Sequence, residues 1–192
     1  MNGVSSSPDG GQGPAASEAV GALPVSHHRV WAFGVDIDTD QLAPGAYMKL
    51  GIEGIAPHCL EGVRAEFARQ VQRGDVIAAG PNFGIGSSRE QAAGALVQLG
   101  VRAVIAPSFS GLFFRNAFNL GLLLLTCPQA AQLSEAESIT LDLQALTVTR
   151  ADGQVLACEP IPAFLLDMVE AGGLLNQLRR GLRKPVEHAA AR

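Results

Sequence analysis

The chain has 192 residues, enough for one domain with a full core, and 47% of them are hydrophobic. A net charge of -4 and a pI near 5.5 argue against a nucleic-acid binder, which would present a basic face. The apolar run at 120–125 is far too short to span a membrane and reads as a buried strand. Cys59, Cys127 and Cys158 are odd in number and widely spaced, so they make neither a disulfide framework nor a metal-ligand spacing.

Residues 1–26 are rich in Gly, Ser, Pro and Ala without periodicity, which predicts a disordered tail, taken to run through residue 28. The tail lacks the basic start and apolar centre of a secretory signal, so a cytoplasmic protein is expected. His27 and His28 read as an exposed pair, with no third ligand near in sequence. A strand is predicted over 30–35. Asp36, Asp38 and Asp40 alternate like a calcium loop, but Gln41 and Tyr47 stand where that loop needs Gly and Glu, which leaves an Asx-rich turn. Residues 43–54 are bounded by Pro and Gly and predict a loop, in which Lys49 is the only positive charge. Leu60, Val63, Phe67 and Val71 recur at helical spacing, predicting an amphipathic helix ended by Gly74.

An apolar strand at 75–79 then leads into Gly80-Pro81-Asn82-Phe83-Gly84-Ile85-Gly86-Ser87-Ser88-Arg89-Glu90, and a helix at 91–99 leads out. Three glycines let this loop take conformations closed to other residues and bring its amides near a ligand. Ser87 and Ser88 stand at a helix start, where free N–H groups and the macrodipole favour an anion. Arg89 adds a positive fork suited to a carboxylate or phosphate. The structural alternative is that Ser87 with Glu90, or Ser88 with Gln91, forms a capping box. The spacing fits neither a nucleophile elbow, a Walker loop nor a dinucleotide fingerprint.

A strand at 102–106 follows. Ser108 is expected to open the next helix, with Phe109, Leu112, Phe113 and Ala117 toward the core and Arg115 in a structural salt bridge. Gly121 stops it before a strand at 122–126. This alternation implies crossover units on a largely parallel sheet. Period-two segments at 139–143, 146–149 and 155–157, the last two joined by Asp152-Gly153, predict a β-meander covering one edge. Pro162 starts a helix through about 170, and Gly172-Gly173 separates it from another at 174–182. Arg179, Arg180, Arg183 and Lys184 read as a solvated helix end, and 185–192 as a frayed tail.

The serine stretch 82–90 resembles the serine loop of the aconitase superfamily. Asp36-Ile37-Asp38-Thr39-Asp40-Gln41 resembles that family's Asp-Thr-Asp-Gln signature, and Tyr47-Met48-Lys49-Leu50 sits where it carries a substrate-selecting loop. The segment 108–117 resembles its Ser-Phe…Arg-Asn-Ala helix. With the chain length, these stretches are most similar to the superfamily's small subunits, typified by the 3-isopropylmalate dehydratase small subunit.

The resemblance implies an α/β swivelling-type domain over 29–184, with a mixed, largely parallel sheet, flanking helices, a C-terminal meander and further helices. It implies a hydro-lyase subunit that dehydrates and rehydrates a 2-hydroxy di- or tricarboxylic acid, active only with a large subunit. A [4Fe–4S] cluster on that partner would act as Lewis acid on the leaving hydroxyl. Because a cluster needs grouped thiolates, this chain is expected to bind neither metal nor cofactor. By position in the motif, Ser87 is the expected catalytic base, acting as an alkoxide, and Ser88, Arg89, Lys49 and Asp40, with Gln41 beside it, are the expected substrate-binding groups. Ile85 stands where many relatives have Cys, Gln91 where many have His, and the loop at Lys49 matches neither the apolar nor the arginine version. Homoaconitase-type and methylmalate-type small subunits therefore stay open as alternatives, as do a non-catalytic module for an anionic metabolite and a phosphate-binding fold with coincidental serines.

Overall fold

Four neighbouring strands run parallel: β1 (His27–Ala32), β2 (Val76–Ala78), β3 (Ala103–Ala106) and β4 (Leu123–Thr126), β2 to β4 from apolar runs and β1 with its apolar half at 30–32. Val30 pairs with Val76, Ile77 with Val104 and Val104 with Leu124. The structure is a computed structural model and describes residues 27–182. The predicted tails lie outside that range, save for His27 and His28, which belong to β1.

From the other side of β1 the sheet continues antiparallel through β5 (Ser138–Asp142), β6 (Thr147–Thr149) and β7 (Val155–Ala157), giving the order β4-β3-β2-β1-β5-β6-β7. The meander is thus part of one seven-stranded mixed sheet. Every residue of β2 and β3 is buried, as expected of parallel strands covered on both faces. In the meander Ile139, Val148 and Leu156 are buried in the same core cluster, and Leu141 packs against it. The sheet curls until its ends meet: beyond β7, the Glu159 N–H donates to the Thr126 carbonyl at the end of β4, at 2.8 Å.

Seven α-helices accompany the strands among the described residues: α1 (Thr39–Leu42), α2 (Gly51–Ile55), α3 (Phe67–Gln70), α4 (Glu90–Gln98), α5 (Gly111–Asn119), α6 (Ala163–Ala171) and α7 (Leu174–Leu182). Each step from β1 to β4 moves the same way across the sheet, so right-handed crossovers bring α4 and α5 to one face, where they pack together. α5 buries Phe113, Ala117 and Phe118. Its end meets the α6–α7 link so closely that a Cβ on Gly121 would lie 2.7 Å from the Gly172 backbone. Phe67 is fully buried, edge-on to Trp31 and Phe33 with ring centroids 5.2 and 5.4 Å away, and its burial contributes about 2–3 kcal/mol.

Several local expectations fail for physical reasons. The helix expected over 60–71 shrinks to the single turn α3, because Leu60 sits at φ +60 and starts a series of turns that leaves Val63 44% exposed. The expected loop at 43–54 is helical instead, a 3-10 segment Gly45–Leu50 running into α2. Ser110, not Ser108, precedes α5, and Leu112 faces outward at 40% exposure. Arg115 makes no ion pair among the described residues. His28 is buried rather than exposed, its Nδ1 2.6 Å from the Gly74 carbonyl, and burial holds its pKa below the ordinary 6.5.

Beside it lies Asp75, also buried. One carboxylate oxygen receives Arg29 Nη2 at 2.5 Å, Arg29 Nε at 3.1 Å, Trp31 Nε1 at 2.8 Å and the Gln72 N–H at 2.9 Å. Burial alone would raise the Asp75 pKa, but the hydrogen bonds from Arg29, Gln72 and Trp31 outweigh it and hold the pKa below the ordinary value.

Candidate active site

The carboxyl ends of β1, β2 and β3 open into three connections that lie side by side, the usual place for a ligand in a parallel sheet. The middle one is the serine loop, and its neighbours stitch it down. On one side Asp36 N–H donates to Pro81 (3.0 Å), Gly84 N–H to Ile37 (2.7 Å) and Thr39 N–H to Ile85 (2.9 Å). On the other, Phe83 N–H donates to Ser108 (3.1 Å) and Ser110 N–H to Phe83 (3.0 Å), while the Ser108 hydroxyl accepts from Asn82 N–H at 2.9 Å. Asn82 adopts φ +63, which Asn tolerates, and its amide reaches Asp36 at 2.9 Å. Gly84, at φ +77, has no room for a side chain: a Cβ there would lie 2.2 Å from the Phe113 ring. A loop this constrained can hold a reacting group in place.

The capping box lies at Asp38 and Gln41 rather than at the serines. Asp38 Oδ1 accepts the Gln41 N–H at 2.7 Å, and Gln41 Oε1 accepts the Asp38 N–H at 2.9 Å, which sets α1. The N-cap of α4 is Arg89, with no side-chain cap, so Ser87 and Ser88 are released from that duty. Both are exposed. The N–H groups of Gly86, Ser88, Glu90 and Gln91 have no acceptor within the described chain, and they surround the positive end of α4.

Ser87 meets Thr39, the buried first residue of α1. Thr39 Oγ1 accepts the Ser87 N–H at 3.0 Å and lies 3.2 Å from Ser87 Oγ. The Ser88 carbonyl accepts from Asn116 Nδ2 of α5 at 3.0 Å. Arg89 spends only Nη1, donating to Asp40 at 2.5 Å and to the Ala43 carbonyl at 2.7 Å, so its Nε and Nη2 edge has no acceptor among the described residues. The structure therefore brings Ser87, Ser88, Arg89 and Asp40 together. Asp40 is exposed and engages Arg89 directly. Lys49 makes none of these contacts; it is exposed near the end of its 3-10 segment and has no ion pair among the described residues.

The segment carrying Lys49 is nevertheless anchored. Tyr47 stacks on His58 with centroids 3.5 Å apart, His58 Nδ1 lies 2.7 Å from Glu61 Oε2, and a hydrogen bond to Glu61 raises the Tyr47 pKa. α2 packs on α4, and a hollow of about 280 Å³ lined by Ile52, Glu90, Gln91, Gly94 and Leu120 runs along their junction. Thr39 and Asn116 carry no assignment in the sequence reading, although both lie inside the motifs it singles out. Their partners, 48 and 28 residues away, emerge only on folding.

The aconitase C-terminal domain family matches residues 60–130. The small subunit of 3-isopropylmalate dehydratase from Sulfurimonas denitrificans is 42% identical over 150 residues, which cover 77% of this chain and 90% of that protein. The chain belongs to the 3-isopropylmalate dehydratase small-subunit family. Small subunit 1 from Methanopyrus kandleri is 44% identical over 155 residues, 79% of this chain and 91% of that one. The methanogen homoaconitase small subunit of Methanothermobacter thermautotrophicus is 42% identical over 150 residues, 77% of this chain and 87% of that one. The crystal structure of 3-isopropylmalate dehydratase from Methanocaldococcus jannaschii superposes with a TM-score of 0.77 at 35% identity, covering 83% of this chain and 96% of that one. The α/β fold with its mixed sheet is the fold of this family.

Proposed function

We propose that this chain is the small subunit of a 3-isopropylmalate dehydratase of leucine biosynthesis, a hydro-lyase that moves a hydroxyl between adjacent carbons by dehydration and rehydration. The observation that carries the reading is the placement of Ser87, its hydroxyl against that of Thr39 and its backbone at the uncapped start of α4. A serine hydroxyl is far too weak a base at neutral pH, so the site must stabilise its anion. The Thr39 hydroxyl donating to Ser87 Oγ, the unpaired N–H groups around Gly86 and Ser88, and the Arg89 charge supply that stabilisation. Ser87 then takes the proton alpha to a substrate carboxylate and returns it during rehydration.

Arg89 offers its Nε and Nη2 edge to that carboxylate as a two-pronged donor, and Ser88 adds a hydroxyl. Asp40 is itself an anion and acts through Arg89, fixing the guanidinium through Nη1. Lys49 closes over the far end of the substrate. The family relation to homoaconitase small subunits supports a second substrate, in which Lys49 would meet a distal carboxylate.

Ser87, Ser88 and Asp40 are exposed, so the site is one wall, and the large subunit supplies the other. Among the described residues no three His, Cys, Asp or Glu side chains cluster as metal ligands, so they offer no seat for a [4Fe–4S] cluster, which this reading assigns to the large subunit. No helix among them is long and apolar enough to cross a membrane, and the reading places the enzyme in the cytoplasm, without nucleic acid or membrane as partner.

The test is anaerobic co-expression with the large subunit, followed by alkene absorbance with 3-isopropylmalate and with homocitrate-type acids. Turnover of 3-isopropylmalate is the expected result. Turnover of the longer acids alone would move the substrate, and an assembled complex inert toward both would overturn the reading.

A further inference from the structure

The curl of the sheet brings together two cysteines that the proposed chemistry does not use. β5, β6 and β7 alternate direction from β1, so the chain leaving β7 runs antiparallel to β4. With the Glu159 N–H bonded to the Thr126 carbonyl, the next residue of one strand, Cys127, stands opposite the preceding residue of the other, Cys158. Opposed residues of an antiparallel pair have Cα atoms about 4.5–5.5 Å apart, inside the roughly 4.4–6.8 Å that a disulfide spans. Both backbones are pinned: Cys127 N–H donates to Ala106 at 2.9 Å, and Cys158 N–H to Leu146 at 2.8 Å. Cys158 is half-buried and Cys127 is buried. Each thiol perturbs the other: Cys158, with the Gln129 N–H, lowers the Cys127 pKa to about 7, and Cys127 raises that of Cys158. Cys59, by contrast, is alone and fully buried, and burial pushes its thiol up.

We propose that Cys127 and Cys158 form a reversible two-thiol oxidation site, closed by a peroxide-class oxidant into a disulfide that ties the two ends of the curled sheet together. The proton the pair keeps sits on Cys158, so Cys127 is the thiolate: it attacks hydrogen peroxide, the O–O bond breaks, and Cys127 becomes a sulfenic acid with release of hydroxide. Cys158 then loses its proton and attacks that sulfur, expelling a second hydroxide. The two thiols give up two electrons to the peroxide, and their two protons and the two hydroxides make two waters. A dithiol reductant reverses the step.

The full chain, treated with hydrogen peroxide, quenched and denatured with N-ethylmaleimide, tests this by mass. The chain has three cysteines. The expected product takes up one maleimide instead of three and yields, after trypsin, a linked pair of peptides 116–150 and 151–179, which dithiothreitol separates. Cys158→Ser should abolish that pair. Three maleimides on peroxide-treated wild-type chain, a crosslink through Cys59, or a disulfide only between two chains would each overturn the proposal. The wild-type map stands without any variant that might fold poorly.

Discussion

The hydroxyls of Thr39 and Ser87 lie 3.2 Å apart, and the Ser87 N–H donates to the same Thr39 oxygen at 3.0 Å. One side chain thus fixes both the backbone and the hydroxyl of the proposed base. Thr39→Ala should lower kcat about 10²-fold, the scale for one donor to a developing oxyanion. Thr39→Ser keeps the hydroxyl and should restore most of the rate. A small kcat loss in the Ala variant, or no rescue by Ser, would show that Thr39 serves packing alone.

Arg89 and Asp40 should separate in kinetics. Arg89→Lys keeps the charge but loses the fork, and KM should rise about 10-fold to 100-fold, in line with the 1.5–3 kcal/mol of a hydrogen bond to a charged group. Asp40→Asn keeps a hydrogen-bond acceptor for Arg89 Nη1 and should shift KM by only a few-fold. Steady-state rates of the two variants, assembled with the large subunit, decide it. An equal loss in both would place Asp40 on the substrate itself.

The sequence made the strands legible because burial on both faces leaves unbroken apolar runs at 76–78, 103–106 and 123–126. The serine loop was legible because three glycines, two serines and an arginine have few other uses together. Periodicity misled at 60–71, where the turns starting at Leu60 interrupt a pattern that looks helical. It also could not tell which of two capping boxes forms: Asp38 with Gln41 closes, and neither serine does. The burial of His28, the Thr39–Ser87 contact and the Cys127–Cys158 contact depend on which strands lie side by side and on the curl that joins their ends, which no local pattern carries.

The buried pair of titrating groups sets a pH dependence of stability. The His28 pKa is lowered, so its contribution is complete above the ordinary 6.5 and begins to fall as pH drops below it, because the unfolded chain takes up the proton first. The Asp75 pKa is also lowered; its contribution is complete above the ordinary 3.8 and is lost as pH falls through the depressed folded value. Thermal unfolding from pH 8 to pH 3 should therefore show Tm falling in two stages. Asp75→Asn should cost about 2–4 kcal/mol at pH 7, by unpairing Arg29 and weakening the Trp31 and Gln72 bonds, and should flatten the more acidic stage.

Gly84→Ala should destabilise by about 3 kcal/mol or more, since the new Cβ would meet both a left-handed backbone and the Phe113 ring. Urea unfolding of the isolated chain measures it. A loss under about 1 kcal/mol would mean that the loop relaxes around the methyl group.

The central claim is that Ser87 is the base, and the most direct measurement is turnover by Ser87→Ala assembled with the large subunit. Complex formation should survive, because Ser87 is exposed and caps no helix, while kcat should fall by about 10³-fold or more, to the residue of catalysis left by binding alone. An assembled Ser87→Ala complex that turns over within about tenfold of wild type would contradict the account.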